Sequence, residues 1–188
     1  MRLFVALDLP AGVRASLSEL TAQLKKSCDG PRWVRLEGAH VTLKFIGEVP
    51  DERVGLIRSA LLEVHRHAPV EMRFARLRFF PNDRHPRVFW AGIEAGPALA
   101  VLASAVEATL EPLGIPRETR KFQPHITLAR LNSMEGVSTL LAASAKIADR
   151  EFGRTTATQF YLYRSVLKTS GAEYTRLETY PFAGEEPS

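Results

Sequence analysis

The chain has little sulfur chemistry: Cys28 is the only cysteine in 188 residues. One thiol cannot close an intrachain disulfide and cannot build a cysteine-rich zinc site. Cys28 reads as a spare thiol. No uninterrupted apolar run reaches the ~20 residues that cross a bilayer as a helix. The opening Met1-Arg2-Leu3-Phe4-Val5-Ala6-Leu7-Asp8 meets an acid and then Pro10 too early for a signal-peptide core. A cytoplasmic protein is expected. No glycine-rich phosphate loop of either common type is present, which argues against a nucleotide triphosphate enzyme. There is no Gly-x-Ser-x-Gly, so a serine-type triad fits poorly.

Charge of one sign is also modest. Lys+Arg number 25 and Asp+Glu 21, a net +4. That balance allows a polyanionic partner such as RNA without demanding one. Apolar residues at 45% and charged residues at 24% are ordinary globular usage, which excludes global disorder. The length fits one compact domain over residues 1–188, or two small lobes sharing a core.

Leu3–Leu9 reads as a strand stopped by Pro10. Residues 11–27 place Val13, Leu17, Leu20 and Leu24 on one helical face. Asp29-Gly30-Pro31 marks a turn, and Trp33-Val34-Arg35 a short extended piece. A strand follows at His40–Ile46, then a helix over 52–66 with His65 and His67 exposed near its end. Strands are expected at 70–80 and 88–95, a helix at 98–113, a strand at 124–130 and a helix at 135–146. Two strands at 151–167 and 173–180 precede a frayed tail. The order strand, helix, strand, helix, strand occurs twice. An α+β fold of two pseudo-symmetric lobes follows.

Both repeats carry the same tetrapeptide pattern in their second strand. His40-Val41-Thr42-Leu43 and His125-Ile126-Thr127-Leu128 each read His, β-branched apolar, Thr, Leu. Alternate side chains of a strand share a face. His40 and Thr42 therefore face one way, with Lys44, while Val41, Leu43 and Phe45 face the other. His125 and Thr127 likewise oppose Ile126 and Leu128. If the lobes pack about a pseudo-two-fold axis, a groove holds two opposed imidazoles and two hydroxyls. Imidazole titrates near pH 6.5, so one can act as base and its partner as acid. Such a pair suits displacement at phosphorus, with the threonine hydroxyls on the non-bridging oxygens. Arg130 and Lys44 are candidate sources of positive charge. In a regular strand Arg130 faces away from His125, and it reaches the groove only if the strand bends near Ala129. Two histidines without an acid or thiol beside them are too few for an ordinary metal site.

These residues resemble the two-histidine phosphoesterase superfamily, within it the RNA 2′,3′-cyclic phosphodiesterases, also described as 2′-5′ RNA ligase-like or LigT-like. The resemblance extends over Arg2-Leu3-Phe4-Val5-Ala6-Leu7, Trp33-Val34, His40–Gly47, Pro124–Arg130, Leu162-Tyr163-Arg164-Ser165 and Tyr174. It implies a bilobal fold of two antiparallel sheets around a central groove. It implies hydrolysis of a ribose 2′,3′-cyclic phosphate to a 2′-phosphomonoester without a metal or other cofactor. It further implies His40 as general acid, His125 as general base, Thr42 and Thr127 on the phosphate, and Arg130 as a further phosphate ligand.

Phe45, Phe122, Trp33 and Tyr163 are candidates to stack on a base, against the commoner fate of aromatic residues in a core. The loop 81–87, with Arg84, His85 and Arg87, reads as a surface loop. Arg73, Arg76 and Arg78 line either the groove mouth or a solvated face. The expected partner is RNA with a 2′,3′-cyclic phosphate end, or a small cyclic nucleotide, met by a monomer. Two alternatives are an RNA-end-binding module without turnover, and reversible 2′-5′ ligation by the same groove.

Overall fold

The structure, a computed structural model, describes residues 1–65, 67–169 and 171–183. The side chain of His65 and the tail beyond residue 183 lie outside the described residues.

Two antiparallel sheets and four α-helices make up the α+β fold. The first sheet has the order β3 (His40–Glu48), β1 (Arg2–Asp8), β8 (Gln159–Lys168), β9 (Gly171–Pro181). The second runs β2 (Arg32–Trp33), β6 (His125–Arg130), β5 (Val88–Ala95), β4 (Val70–Phe80), β7 (Glu151–Ala157). The helices are α1 (Ala11–Lys25), α2 (Val54–Leu61), α3 (Pro97–Leu110) and α4 (Val137–Ala145).

Leu3 to Leu7 are all buried, which suits β1 to a place between two strands. Pro10 ends the strand and stands directly before α1. Val13, Leu17, Leu20 and Leu24 are buried along α1, on the face that their spacing predicts. No side chain caps the N-terminus of that helix. Each buried aliphatic side chain contributes about 1.5–3 kcal/mol, so packing rather than capping holds α1 in place.

The repeat seen in the sequence is real, but the lobes are not its halves. β1-α1-β3-α2-β4 is echoed by β5-α3-β6-α4-β8. In each copy the last strand crosses to the other sheet: β4 pairs with β5, and β8 pairs with β1. Each sheet thus contains strands from both repeats. One apolar cluster joins them, with Phe74 and Phe89 from the second sheet and Leu3, Phe160 and Tyr180 from the first.

Two expected elements are divided. The stretch 151–167 is not one strand. β7 ends at Ala157 and β8 begins at Gln159 in the other sheet. No glycine or proline marks the crossing at Thr158, and strand propensity runs unbroken through it. The helix expected over 52–66 is α-helical only at Val54–Leu61, with 3-10 turns at Asp51–Arg53 and Leu62–His65. Among the described residues no helix is long and apolar enough to cross a membrane.

Candidate active site

β3 and β6, which carry the two His-x-Thr pairs, are the strands by which the two sheets approach each other. Both contain a β-bulge at the same place. Thr42 pairs with Ala6 and Lys44 with Val5, so Leu43 has no partner on β1. Thr127 pairs with Trp90 and Ala129 with Phe89, so Leu128 has no partner on β5. An extra residue in a strand reverses the facing of everything after it. The buried positions match: Val41, Leu43 and Lys44 are buried as Ile126, Leu128 and Ala129 are. Phe45 and Arg130 then return to the side of their histidines, and both are exposed.

The two imidazoles are anchored alike. His40 Nδ1 donates to the Gly38 carbonyl at 2.8 Å, and His125 Nδ1 donates to the Gln123 carbonyl at 2.8 Å. A carbonyl can only accept, so Nδ1 carries the hydrogen in each ring. In the neutral form Nε2 therefore bears the lone pair, and it is the Nε2 atoms that are free for chemistry. Neither the Thr42 nor the Thr127 hydroxyl bonds to a protein group among the described residues.

The surroundings of the two rings differ. His40 stacks on Phe4 at 4.4 Å between centroids and meets the edge of Tyr174 at 5.1 Å. Burial lowers its pKa below the usual 6.5, and the Gly38 carbonyl and the Asp8 carboxylate push it partly back. Asp8 sits opposite His40 on β1 and accepts from Tyr163 Oη and Arg176 Nη2. Burial and that bond push the Tyr163 hydroxyl up to about 12. His125 is exposed, with the Trp90 ring 5.7 Å away at 66°. A cavity of about 180 Å³ opens beside His40 and Thr42, lined also by Arg2, Phe45 and Tyr174.

A model of the "LigT like Phosphoesterase" family matches residues 7–90 and 93–174 of this chain. The chain belongs to the LigT-like phosphoesterase family. A Thermus thermophilus protein named RNA 2′,3′-cyclic phosphodiesterase is 37% identical, over 98% of this chain and 92% of that one. An Archaeoglobus fulgidus protein of the same name is 31% identical, over 96% and 99%. Among solved structures, TT0787 of Thermus thermophilus superposes with a TM-score of 0.82 at 33% identity, covering 99% of this chain and 100% of that one. Escherichia coli LigT in complex with 3′-AMP superposes with a TM-score of 0.76 at 27% identity, covering 96% and 97%.

Within this LigT-like fold, six of the seven residues expected at the site face the cleft: His40, Thr42 and Phe45 from the first sheet, and His125, Thr127 and Arg130 from the second. Lys44 does not. Strict alternation puts Lys44 in the groove, and the bulge at Leu43 turns it to the other side of the sheet. There it is buried, with Nζ 2.7 Å from Glu107 Oε2 on α3 and 2.6 Å from the Pro116 carbonyl. The same bulge corrects the facing expected of Phe45. Trp33 and Phe122 pack against the core instead of facing the cleft, Trp33 meeting Phe89 edge-on. His67 is half-buried near Phe182 rather than exposed.

Phe4, Trp90 and Gly38 had no sequence signal as site residues. Phe4 and Trp90 are brought to the histidines by antiparallel pairing, which no local pattern encodes. Gly38 has two tasks. Its carbonyl holds His40, and a Cβ on it would lie 2.7 Å from the Tyr174 ring. Only glycine lets Tyr174 close against His40 from that side.

Proposed function

We propose that this chain hydrolyses RNA 2′,3′-cyclic phosphate ends to 2′-phosphomonoesters by acid–base catalysis between His40 and His125. The observation that carries the reading is the matched pair of imidazoles. Each is locked by a backbone carbonyl with Nε2 free, and each stands beside an unbonded threonine hydroxyl on a strand bulged in the same way.

In this reading His125 Nε2 takes a proton from water as the water oxygen bonds to phosphorus. The P–O3′ bond breaks, and His40 Nε2–H protonates the departing 3′ oxygen. Phosphate remains on O2′. Thr42, Thr127 and Arg130 hold the non-bridging oxygens, where negative charge grows in the transition state. Two features support this order of roles. His125 is exposed, so water reaches it from solvent. His40 adjoins the cavity of Arg2, Phe45 and Tyr174, which has room for the ribose that carries the leaving oxygen. Burial makes the His40 imidazolium a stronger acid, and a bound phosphate anion favours its charged form. The donor set of imidazoles and hydroxyls serves proton transfer without a metal.

The test is an RNA oligonucleotide ending in a 2′,3′-cyclic phosphate, incubated with EDTA present, with products resolved as 2′- or 3′-monophosphates. Ring opening to the 2′-phosphate is expected. An intact ring with tight RNA binding would convert the reading to a binding module. Activity lost to EDTA would contradict the proposed metal-free chemistry.

A further inference from the structure

The open face of the second sheet continues past His125 in ordered rows. β6, β5 and β4 are neighbours, and their register is explicit. His125 pairs with Gly92, and Gly92 with Ala75. Thr127 pairs with Trp90, and Trp90 with Arg78. Arg130 pairs with Val88, and Val88 with Phe80. Paired residues project from the same face. Arg78 and Phe80 reach that face because β4 has its own bulge at Arg76, whose φ is +69°. Thus Trp90, Arg78 and Phe80 form a platform that begins beside His125. It extends two strands, about 10 Å, across the sheet.

The chemistry of this platform is uneven. Arg78 and Arg130 are exposed and have no carboxylate partner among the described residues. Phe80 is 50% exposed. Beyond the His125 row the arginines are neutralised. Arg73 pairs with Glu94 and Glu151, Arg76 with Glu94 and Asp149, and Arg154 with Glu151. On this face of the second sheet, among the described residues, free positive charge and bare aromatic surface therefore coincide only in the rows of Thr127 and Arg130.

We infer that this platform binds the nucleotides preceding the cyclic phosphate, as a single-stranded RNA segment. Bases stack on Phe80 and Trp90, and Arg78 meets the phosphodiester. Aromatic faces accept any base, and a guanidinium with no carboxylate partner, Arg78 Nη1 donating only to the Leu77 carbonyl, suits the backbone beside them, which is the usual chemistry of single-strand recognition. The platform is continuous with the candidate active site, so it is within reach of an RNA chain whose end lies between the histidines. The inference rests on the function proposed above and adds to it a binding surface, built from Trp90, Arg78 and Phe80, for the nucleotides upstream of the reacting phosphate.

The test compares kcat/KM for a short RNA oligonucleotide ending in a 2′,3′-cyclic phosphate with kcat/KM for a nucleoside 2′,3′-cyclic monophosphate. The ratio is read for wild type, Arg78→Ala and Phe80→Ala. Trp90 is left intact because it touches His125. The ratio favours the oligonucleotide in wild type and falls about tenfold in each variant, the usual scale of one lost stacking or phosphate contact. Raising salt slows the oligonucleotide reaction more than the mononucleotide one, and Arg78→Ala lowers that log–log slope by about 0.7. If wild type opens both substrates and the ratio is the same in all three proteins, this inference fails and the functional reading stands. If wild type opens neither, both fail.

Discussion

Leu43 and Leu128 occupy the same place in two strands of two different sheets. Each is the unpaired residue of a β-bulge directly after a His-x-Thr pair. The consequence is shared. The position after each leucine is driven into the core, and the next one is returned to the cleft. In the first strand those positions hold Lys44 and Phe45, in the second Ala129 and Arg130. The two halves of the site therefore have the same backbone and different chemistry, an aromatic ring on one side and a guanidinium on the other.

Lys44 is thereby a structural residue. Its ammonium is buried against Glu107 and the Pro116 carbonyl. Removing one partner of a buried ion pair costs about 3–5 kcal/mol, because the other charge is left without compensation. Lys44→Ala is expected to lower the free energy of unfolding by that amount, and Tm and the denaturation midpoint with it, while leaving KM for the cyclic phosphate close to wild type. Lys44→Met, which keeps the volume, leaves Glu107 uncompensated and destabilises as well. A KM effect with unchanged stability would place Lys44 at the substrate.

The hydroxyls of Thr42 and Thr127 are predicted to bond an anion. A hydrogen bond to a charged group contributes about 1.5–3 kcal/mol. Thr42→Val and Thr127→Val keep the shape of the strand and should each reduce kcat/KM by about 10- to 100-fold, following that range. Thermal unfolding should be little changed, since both side chains border the cleft.

His40 has a pKa lowered chiefly by burial, so its sign is fixed. Titration of the His40 ring protons by NMR should give a midpoint below 6.5. Asp8→Asn should lower it further, because the carboxylate favours the imidazolium. Folding inherits the same sign. The unfolded chain takes up a proton near pH 6.5 that folded His40 resists. Its contribution to stability is therefore complete above that pH and is lost as pH falls through the folded pKa. His40→Gln should flatten this part of the stability–pH curve. A His40 midpoint above 6.5 would contradict the burial argument.

Gly38 should be sensitive out of proportion to its size. Gly38→Ala places a methyl against the Tyr174 ring, which must swing away from His40. Reduced kcat with the His40 NMR midpoint moved toward the free value is expected. Tyr174→Ala should remove the steric conflict, so Gly38→Ala in that background should have a smaller effect. Equal effects in the two backgrounds would mean that Gly38 acts only through its carbonyl.

Much of this architecture was legible in the residues. The buried faces of α1 and α3 follow the spacing of Val13, Leu17, Leu20 and Leu24 and of Leu99, Leu102, Val106 and Leu110. The doubled tetrapeptide marked the two strands that meet at the cleft. What escaped was set by pairing between distant strands. Bulges at Leu43 and Leu128 arise from register against β1 and β5, so alternation put Lys44 on the wrong face and left Arg130 undecided. The exchange of β4 and β8 between sheets has no local signature, and neither does the break at Thr158. Phe4 and Trp90 are ordinary strand residues until pairing sets them beside a histidine.

The central claim is that His40 protonates the leaving oxygen while His125 activates water. It is tested most directly with a cyclic phosphate whose bridging 3′ oxygen is replaced by sulfur. A thiolate departs without a proton, so it has no need of a general acid. With the natural oxygen substrate, His40→Ala and His125→Ala should each lose about 10²–10⁴-fold in kcat, the usual yield of general acid or base catalysis. With the sulfur substrate, His40→Ala should regain most of that loss and His125→Ala should not. Rescue of His125→Ala alone would reverse the two roles, and rescue of neither would contradict acid–base catalysis by this pair.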